Sequence, residues 1–315
     1  MKKGVISLGE ALIDFIPMDR TNSVFQKNPG GAPANVAVGL SRLGIETYFA
    51  GKIGDDVLGR FLLETLTEYG VNTSAVSLTT ETRTGVVFVT LGEGGERSFD
   101  FYIKPSADQK LEAGEVREAL FHQCKILHFG SITLINEPAR SATLHAIDLA
   151  KKYGMTISFD PNVRLPLWPN EKAARTVILD TLSSADIVKI SEDELSFLTG
   201  EAEEENALEQ LKSFHIPVLV VTKGAEGSTI ITKDGRIDAP ADKVNAVDTT
   251  GAGDAYVSGL LYQIHESRQD PRDIGLDQWE EFAAFASVSG GLAASEKGAM
   301  SALPRLTDIE NRKLR

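Results

Sequence analysis

Residues 247–256, with the sequence VDTTGAGDAY, are the part of the chain whose residue types most directly suggest chemistry. Gly251 and Gly253 open a predicted helix, and glycine lets the backbone approach a ligand closely. The free N–H groups of a first helical turn, here Gly251, Ala252 and Gly253, attract an anion, and the helix dipole adds to the attraction. The segment therefore predicts a phosphate held by these amides, with Asp254 accepting a proton from an incoming hydroxyl.

The same spacing also fits a purely structural interpretation. Asp248 or Thr249 would then cap the helix, and Asp254 would only complement the helix dipole. The segment is not a Walker loop, because no Gly-Lys-Ser/Thr follows, and it lacks the glycine spacing of a dinucleotide fingerprint. A helix N-terminus stabilises a carboxylate and so weakens Asp254 as a base, but a loose phosphoryl-transfer transition state tolerates a weak base.

Short apolar runs alternate along the chain with amphipathic stretches of helical length. Strands are predicted at residues 4–8, 47–51, 126–129, 156–159, 187–190 and 218–222. Helices are predicted at residues 35–43, 58–69, 137–153, 171–182 and 206–214, with the acidic run at 201–205 as a solvated helix start. Apolar strands that alternate with helices predict a mostly parallel sheet covered by helices on both faces.

Two segments break this alternation. Residues 23–27 and the stretch on either side of Gly92-Glu93-Gly94-Gly95, a hairpin signal, have the pattern of strands without intervening helices. Such strands predict a small second sheet beside the main one, formed by about residues 14–30 and 84–104 and acting as a lid. No linker or repeat is present, so residues 1–315 are predicted to form a single domain.

The composition limits the classes of partner. The chain of 315 residues is 42% hydrophobic and 24% charged, with a formal net charge of −13 at pH 7. This acidity repels nucleic acid and anionic membranes, so neither is expected as a partner. Cys124 is the only cysteine, which excludes an internal disulfide and a thiolate metal cluster. Glu10 and Asp14 interrupt the apolar N-terminal stretch, which does not fit a signal peptide, and we expect a soluble, cytoplasmic protein.

The segment at 247–256 resembles the second signature of the ribokinase-like (PfkB) carbohydrate kinases. Residues 29–37 (PGGAPANVA), followed by Leu43-Gly44, resemble the first signature of that family. The two motifs stand in the family's order and more than 200 residues apart, and the resemblance covers essentially the whole chain. Four further segments resemble those of the fructokinases: residues 9–15, 101–108, 160–169 and 189–194.

The resemblance implies a ribokinase-like three-layer α/β/α sandwich with a mostly parallel central sheet and a small β-sheet lid. It also implies ATP-dependent phosphorylation of a free hexose, in the first place D-fructose to D-fructose 6-phosphate. The implied cofactors are ATP and Mg²⁺, with K⁺ in some members. Exposed edges of the lid strands favour pairing across a homodimer.

The family's functional residues carry over to matching positions of this sequence. Asp254 is then the base, the amides of Gly251, Ala252 and Gly253 form the anion hole, and Arg164 is the cation for the transferring phosphate. The sugar is expected to contact Asp14, Gly30, Gly31, Asn35, Phe101, Lys104 and Asp254. The nucleotide is expected to contact Lys189, Ser191, Thr222, Lys223, Gly224, Gly227, Gly253 and Ser287. Metal roles fall to Glu194, through water around Mg²⁺, and to Asp248, Thr250 and Gly298 at a K⁺ site.

Structural interpretations stay open for several of these residues. Gly30 and Gly31 also fit a plain turn before a helix, and Asp14 fits a strand-end carboxylate in water. Ser191 and Glu194 form the pattern of a capping box, which is compatible with a role of Glu194 toward metal-bound water.

Three further positions carry their own alternatives. Arg164 also fits a surface ion pair, and residues 222–227 fit a hairpin turn as well as a nucleotide loop. Ile103 departs from the fructokinase pattern, which often has arginine there, so that contact is lost or moves to Lys104. Many fructokinases share the serine at Ser191 where the wider family often has asparagine.

Other functions also stay open. Within the family they are ribokinase and 2-keto-3-deoxygluconate kinase. The second binds a substrate carboxylate and needs extra cations around the sugar, and Ile103 does not supply one. A catalytically silent sugar-sensing relative is disfavoured because Asp254, Gly251 and Gly253 are intact. A nicotinamide dehydrogenase on a similar sandwich is disfavoured because no glycine fingerprint follows Leu8.

Overall fold

The computed structural model describes residues 2–92 and 97–314, so Glu93, Gly94 and Gly95 of the predicted hairpin turn lie outside the described residues. Its strands are β1 (Gly4–Leu8), β2 (Leu12–Pro17), β3 (Phe25–Gly30), β4 (Thr47–Gly54), β5 (Asn72–Thr79), β6 (Gly85–Leu91), β7 (Arg97–Phe101), β8 (Cys124–Phe129), β9 (Thr156–Phe159), β10 (Ile187–Ser191), β11 (Val218–Thr222), β12 (Ser228–Thr232) and β13 (Gly235–Ala239). Its helices are α1 (Ala32–Arg42), α2 (Val57–Glu68), α3 (Glu118–Phe121), α4 (Ala139–Lys152), α5 (Glu171–Leu182), α6 (Glu192–Thr199), α7 (Glu204–Leu211), α8 (Ala252–Ser267), α9 (Leu276–Ala294) and α10 (Leu306–Lys313).

The large sheet has nine strands in the order β13-β12-β11-β10-β9-β8-β1-β4-β5. The strands from β11 to β5 pair in parallel, and β12 and β13 extend the sheet with antiparallel pairs. Successive residues of a strand point to opposite faces. Val5 and Ile126 therefore pack against α1, α8 and α9, whereas Ile6 and Leu127 pack against α4 to α7. This three-layer α/β/α arrangement confirms the predicted fold class.

The small sheet has four strands in the order β3-β2-β6-β7. Strand β2 alternates between two environments. Ile13 is fully buried with Phe49, Ile53, Leu62 and Leu66, which belong to β4 and α2. The residues on either side of Ile13 face the opposite side of the small sheet, toward a cavity. The small sheet is thus attached to the large one through the apolar face of one strand.

The third strand begins two residues later than predicted. Residues 23–27 were expected to form it, but it runs Phe25–Gly30. The carboxylate of Asp19 accepts hydrogen bonds from the backbone N–H groups of Thr21, Ser23 and Val24, which folds this stretch into a turn. Strand β3 ends at Gly30, and the next residue, Gly31, is the N-cap of α1.

Some predicted helices have a different start in the structure, and three strands of the structure were not predicted. Helix α4 begins at Ala139 rather than residue 137, because Pro138 occupies the N-cap. Strands β5, β12 and β13 were not predicted. None of the helices within residues 2–92 and 97–314 combines the length and the hydrophobicity that a bilayer-spanning segment needs.

Because Ile13 attaches the small sheet to the core, its truncation should destabilise the protein. We expect Ile13→Ala to lower the free energy of unfolding by about 2–5 kcal/mol, measured by urea denaturation. Met18→Ala is the control, since that side chain follows the same strand but is 62% exposed. It should change the free energy of unfolding by less than about 0.5 kcal/mol. Equal losses in the two variants would contradict this attachment.

Candidate active site

A cavity of about 370 Å³ lies where the small sheet faces the carboxyl ends of the parallel strands. Three segments bring most of its lining: β2 of the small sheet, the start of α1, and the turn that opens α8. The carboxyl ends of parallel strands are the usual place for ligand sites in open α/β sheets. The predicted site residues that line this cavity are Asp14, Gly31, Asn35, Phe101, Arg164, Lys189, Thr250, Gly251, Gly253 and Asp254.

Helix α8 opens with the predicted glycine turn. Gly251 is the N-cap and has a left-handed backbone (φ 79°), which glycine adopts without strain. Asp254 is the third residue of the helix and is 8% exposed. Burial raises the pKa of Asp254 to about 6, although a hydrogen bond from Asn35 acts in the opposite direction. At neutral pH this carboxyl is therefore ionised but far more basic than an ordinary aspartate.

Helix α1 opens with a second glycine pair. A Cβ at Gly30 would lie 2.2 Å from Oδ2 of Asp14, and a Cβ at Gly31 would lie 2.4 Å from the carbonyl oxygen of Glu10. Gly31 also has a φ of 106°. Gly31 therefore excludes any side chain, because the obstacle is backbone, whereas a side chain at Gly30 would displace the carboxylate of Asp14 from its place. One helical turn later, Nδ2 of Asn35 donates to Oδ2 of Asp254 at 2.7 Å.

The small sheet contributes one carboxylate and two aromatic rings to the cavity. Burial raises the pKa of Asp14 to about 6, and the negative charge of Asp254 adds to that rise while Arg164 opposes it. Phe101 and Phe99 line the same side. The ammonium of Lys104 donates to the carbonyl oxygen of Pro166 at 3.0 Å, so here this predicted sugar contact is directed to the loop after β9.

Two cations approach the start of α8. Lys189 forms a largely buried ion pair with Asp160 at 3.1 Å. Burial alone would lower the pKa of Lys189, but the carboxylates of Asp160 and Glu194 hold it above the usual value. A Cβ at Gly253 would lie 3.5 Å from Nζ of Lys189, so the ammonium stands next to the predicted anion hole. Arg164 is exposed and donates to the carbonyl of Val163 at 3.1 Å.

Glu194 joins two loops at the carboxyl edge of the sheet. Its Oε2 accepts from the backbone N–H of Ser191 at 2.9 Å, and the hydroxyl of Ser191 accepts from the N–H of Glu194 at 3.2 Å. This is the predicted capping box, at the start of α6. Its Oε1 accepts from the N–H of Val163 at 2.7 Å, which fixes the loop that carries Arg164. A role of Glu194 toward metal-bound water stays a prediction.

The predicted nucleotide loop lies at the neighbouring strand end. Thr222 ends β11 and pairs in register with Ser191 of β10. Lys223 forms an ion pair with Glu204 at 2.6 Å. Gly224 and Gly227 both have left-handed backbones. Within the described ranges, these loop residues and Ser287 stand outside the lining of the cavity.

Ser287 lies on α9 and faces the segment that follows β13. Its hydroxyl accepts from the backbone N–H of Asp242 at 2.8 Å and donates to the carbonyl of Pro240 at 3.3 Å. The structure thus gives Ser287 a role in holding that segment. Its predicted contact with the nucleotide stays a prediction.

The three residues predicted for a K⁺ site come together beside the glycine turn. Oδ1 of Asp248 accepts from the N–H and the hydroxyl of Thr250 at 3.0 and 2.7 Å, and Oδ2 accepts from the N–H of Gly298 at 3.3 Å. Asp248 thus organises the turn before α8, but neither Asp248 nor Thr249 caps the helix as the structural interpretation expected, because the N-cap is Gly251. Across residues 2–92 and 97–314, no cluster of three or more His, Cys, Asp or Glu side chains suited to a metal is found.

Several lining residues were not predicted to belong to the site. They are Glu10, Leu12, Ala32, Val87, Phe99, Ile132, Asn162 and Thr249. The period of two along a strand would have added Phe99 to Phe101. A charged Glu10 inside an apolar stretch was a second signal, because a buried charge needs a reason.

Solved structures share this fold over nearly the whole chain. The crystal structure of fructokinase with bound ATP from Xylella fastidiosa superposes with a TM-score of 0.94 at 33% identity, covering 100% of this chain and 99% of that chain. A fructokinase from Vibrio cholerae O395, in fructose, ADP and calcium ion bound form, has a TM-score of 0.90 at 38% identity, with 98% of each chain covered. The fold is therefore that of the ribokinase-like α/β/α proteins.

Sequence comparison narrows the class further. Probable fructokinase-5 of Arabidopsis thaliana is 43% identical over 312 residues, which cover 97% of this chain and 96% of the relative. A family model described as pfkB family carbohydrate kinase matches residues 2–306. The chain belongs to the pfkB family of carbohydrate kinases. The resemblance drawn from the two signatures is confirmed, and the dehydrogenase hypothesis is set aside.

Proposed function

We propose that this carbohydrate kinase transfers the terminal phosphoryl group of ATP to D-fructose and forms D-fructose 6-phosphate. The observation that carries the proposal is the buried carboxyl of Asp254, which meets Asn35 and the glycine turn at one end of the cavity. The fructokinases that resemble this chain over nearly its full length support the choice of fructose. A ketoacid or ribose acceptor is the alternative within the family.

The residues around the cavity fit a direct transfer. The sugar hydroxyl oxygen forms a bond to the terminal phosphorus of ATP, the bond to the bridging oxygen breaks, and ADP leaves. Asp254 takes the hydroxyl proton and becomes a neutral acid. Its raised pKa of about 6 makes it a better proton acceptor than an ordinary aspartate. The Asn35 amide holds the carboxylate in place, because it donates to one of its two oxygens.

The charge of the transferred group needs compensation in the same place. The amides of Gly251, Ala252 and Gly253 stand at the start of α8, where the helix dipole favours an anion. Lys189 adds a cation next to Gly253, and Arg164 lines the same cavity. These groups would stabilise negative charge as it develops on the phosphoryl oxygens.

The residues predicted to serve Mg²⁺ and K⁺ also have chemistry that suits these two ions. Mg²⁺, when bound with ATP, would neutralise phosphate charge, and Glu194 at the neighbouring strand end would orient its water ligands. The K⁺ proposal rests on Asp248, Thr250 and Gly298, which are drawn together beside the glycine turn. An oxygen-rich turn suits a hard cation, and a cation there would offset local negative charge.

The proposed specificity is tested by a panel of acceptors. ADP release is measured with Mg-ATP and fructose, glucose, mannose, ribose or 2-keto-3-deoxygluconate, each at several concentrations. We expect the highest kcat/KM with fructose, because the cavity offers carboxylates and amides for hydroxyls, and the same carboxylates would repel an acceptor carboxylate. A higher kcat/KM with ribose or the ketoacid would overturn the specificity but leave the family assignment unchanged.

Removal of the base should abolish most turnover. We expect Asp254→Asn to lower kcat about a thousandfold or more, while the affinity for Mg-ATP stays within a few fold, because the proton acceptor acts in the transition state. The matched control is Asp277→Asn, an exposed aspartate in the first turn of α9. That control should keep normal turnover. Near-normal kcat in Asp254→Asn would exclude this residue as the base.

The raised pKa values predict where activity is lost on acidification. Asp254 and Asp14 both have pKa values of about 6, and the negative charge of Asp254 contributes to the rise at Asp14. The base must be ionised, so kcat/KM should be level near pH 7 and fall by about tenfold per pH unit below this pKa. The measurement is a pH profile of kcat/KM for fructose. A profile that stays level down to the ordinary aspartate pKa of 3.8 would contradict it.

We also propose that the protein forms a homodimer through its small sheet. Strands β3 and β7 are the edges of that sheet, and Tyr102 just after β7 is 73% exposed. Open edges with exposed aromatic rings favour pairing. Light scattering should give about twice the chain mass of 34.0 kDa. Tyr102→Lys should shift the protein toward the monomer, whereas Leu144→Lys, on the exposed face of α4, should not. A monomeric wild-type protein would refute the dimer.

A further inference from the structure

Glu10 is a buried acid that none of the roles above uses. We infer that Glu10, in its protonated form, is a positioning residue that fixes the first turn of α1 and thereby holds Asn35 against Asp254. The inference rests on the proposed function for its kinetic consequences. Glu10 lies between β1 and β2 and is 3% exposed, and it borders the cavity.

The start of α1 needs an acceptor from elsewhere in the chain. An N-cap side chain normally accepts a hydrogen bond from the first helical turn, but the N-cap here is Gly31, which has none. No larger residue fits, because a Cβ at Gly31 would lie 2.4 Å from the carbonyl oxygen of Glu10. Oε1 of Glu10 instead accepts from the N–H of Ala32 at 3.1 Å. Glu10 thus supplies from another segment the cap that glycine cannot provide.

The capped turn is the one that carries the partner of the base. The N–H of Asn35 donates to the carbonyl oxygen of Gly31 at 2.8 Å, so Asn35 belongs to the same first turn. Its side chain then donates to Asp254 at 2.7 Å. A shift of this turn would move the Asn35 amide relative to the base. Small misplacements of groups around reacting atoms have large kinetic effects.

The surroundings of Glu10 favour the neutral acid. The charged groups that face it are Asp108, which is 4% exposed and precedes the loop to α3, and Arg164 from the loop after β9. The first turn of α1 has no charged side chain. Oε2 of Glu10 is buried and has no hydrogen-bond partner among the described residues. Burial, with a smaller contribution from Asp108, raises the pKa of Glu10 to about 8. Hydrogen bonds from the backbone N–H groups of Glu10 and Ala32, and the charge of Arg164, act in the opposite direction without outweighing burial.

A neutral Glu10 keeps one negative charge out of a site that must accept a phosphate group. It also keeps Oε1 as an acceptor for Ala32, because a protonated carboxyl still has a carbonyl oxygen. Glutamine reproduces this state, since its amide has the same shape and no charge. Alanine removes the acceptor altogether.

The experiment compares Glu10→Gln and Glu10→Ala with the wild type and with Asp308→Ala. Asp308 is a matched control because it accepts from the N–H of Arg305 at the start of α10, away from the cavity. We expect Glu10→Ala to lower kcat for fructose by roughly 10- to 100-fold, with KM for ATP within about threefold. Glu10→Gln should restore kcat to within about threefold of the wild type, and Asp308→Ala should leave it unchanged.

The pH profile gives a readout that a merely structural role would not move. The proton on Glu10 is bound below the pKa of about 8 and lost above it, so wild-type kcat/KM should fall as the pH rises through this value. Glu10→Gln should lack this alkaline fall. Persistence of the fall in Glu10→Gln, or a kcat as low as in Glu10→Ala, would overturn the inference.

Two measurements do not depend on turnover. The infrared band of a protonated carboxyl should be present in the wild type at neutral pH and absent from Glu10→Gln, whereas Asp308→Ala should retain it. Amide hydrogen exchange in the first turn of α1 should be faster in Glu10→Ala only. A wild type inactive toward every sugar would defeat the proposed function, but these measurements would still decide the position and protonation of Glu10. Absence of the infrared band from the wild type would refute the protonated state of Glu10. Unchanged amide exchange in Glu10→Ala would refute its role in fixing the first turn of α1.

Discussion

The contact between Asn35 and Asp254 is the constraint on which the site depends. It joins the first turns of α1 and α8 at 2.7 Å across 219 positions of sequence. The two helices can lie close enough because Gly39 faces α8, where a Cβ would be 2.4 Å from the hydroxyl of Ser258. Both helices start with glycine N-caps at the same cavity. The two signature motifs therefore meet as the N-terminal ends of one packed pair of helices.

Charge is the second constraint, because the chain carries −13 overall and has to accept an anionic nucleotide. Three carboxyls at or beside the cavity have pKa values raised by burial: Glu10 to about 8, and Asp14 and Asp254 to about 6. Near pH 7 Asp14 and Asp254 stay mostly ionised, so it is the rise at Glu10 that lowers the negative charge of the site. Lys189 stays charged because Asp160 and Glu194 stabilise its ammonium. Lys189 and Arg164 thus supply positive charge at the cavity of an otherwise acidic chain, which favours binding of phosphate.

The sequence predicted the chemistry of this site better than its contacts. Glycine just before a polar helix start is typical of a turn that faces a ligand, so the turns at Gly31 and Gly251 could be found from residue types. The pairing of Asn35 with Asp254 depends on how α1 packs on α8, and no local pattern contains that information. Lys104 shows the same limit, since its contact with Pro166 depends on the path of a loop.

Prediction of the strands had the same limit, because only patterns local in the sequence could be used. The strands with continuous apolar runs, such as β1 and β8, were predicted within two residues of their bounds. The strands that were missed include those with partly exposed, polar residues, such as β5 and β13 at the sheet edges. Strand β2 shows why patterns are hard to interpret where one element serves two surfaces. Its Ile13 packs into the core while Asp14 faces the cavity, so alternation encodes both attachment and function. The outer part of the same sheet also serves the cavity, because Phe99 of β7 lines it and is 46% exposed.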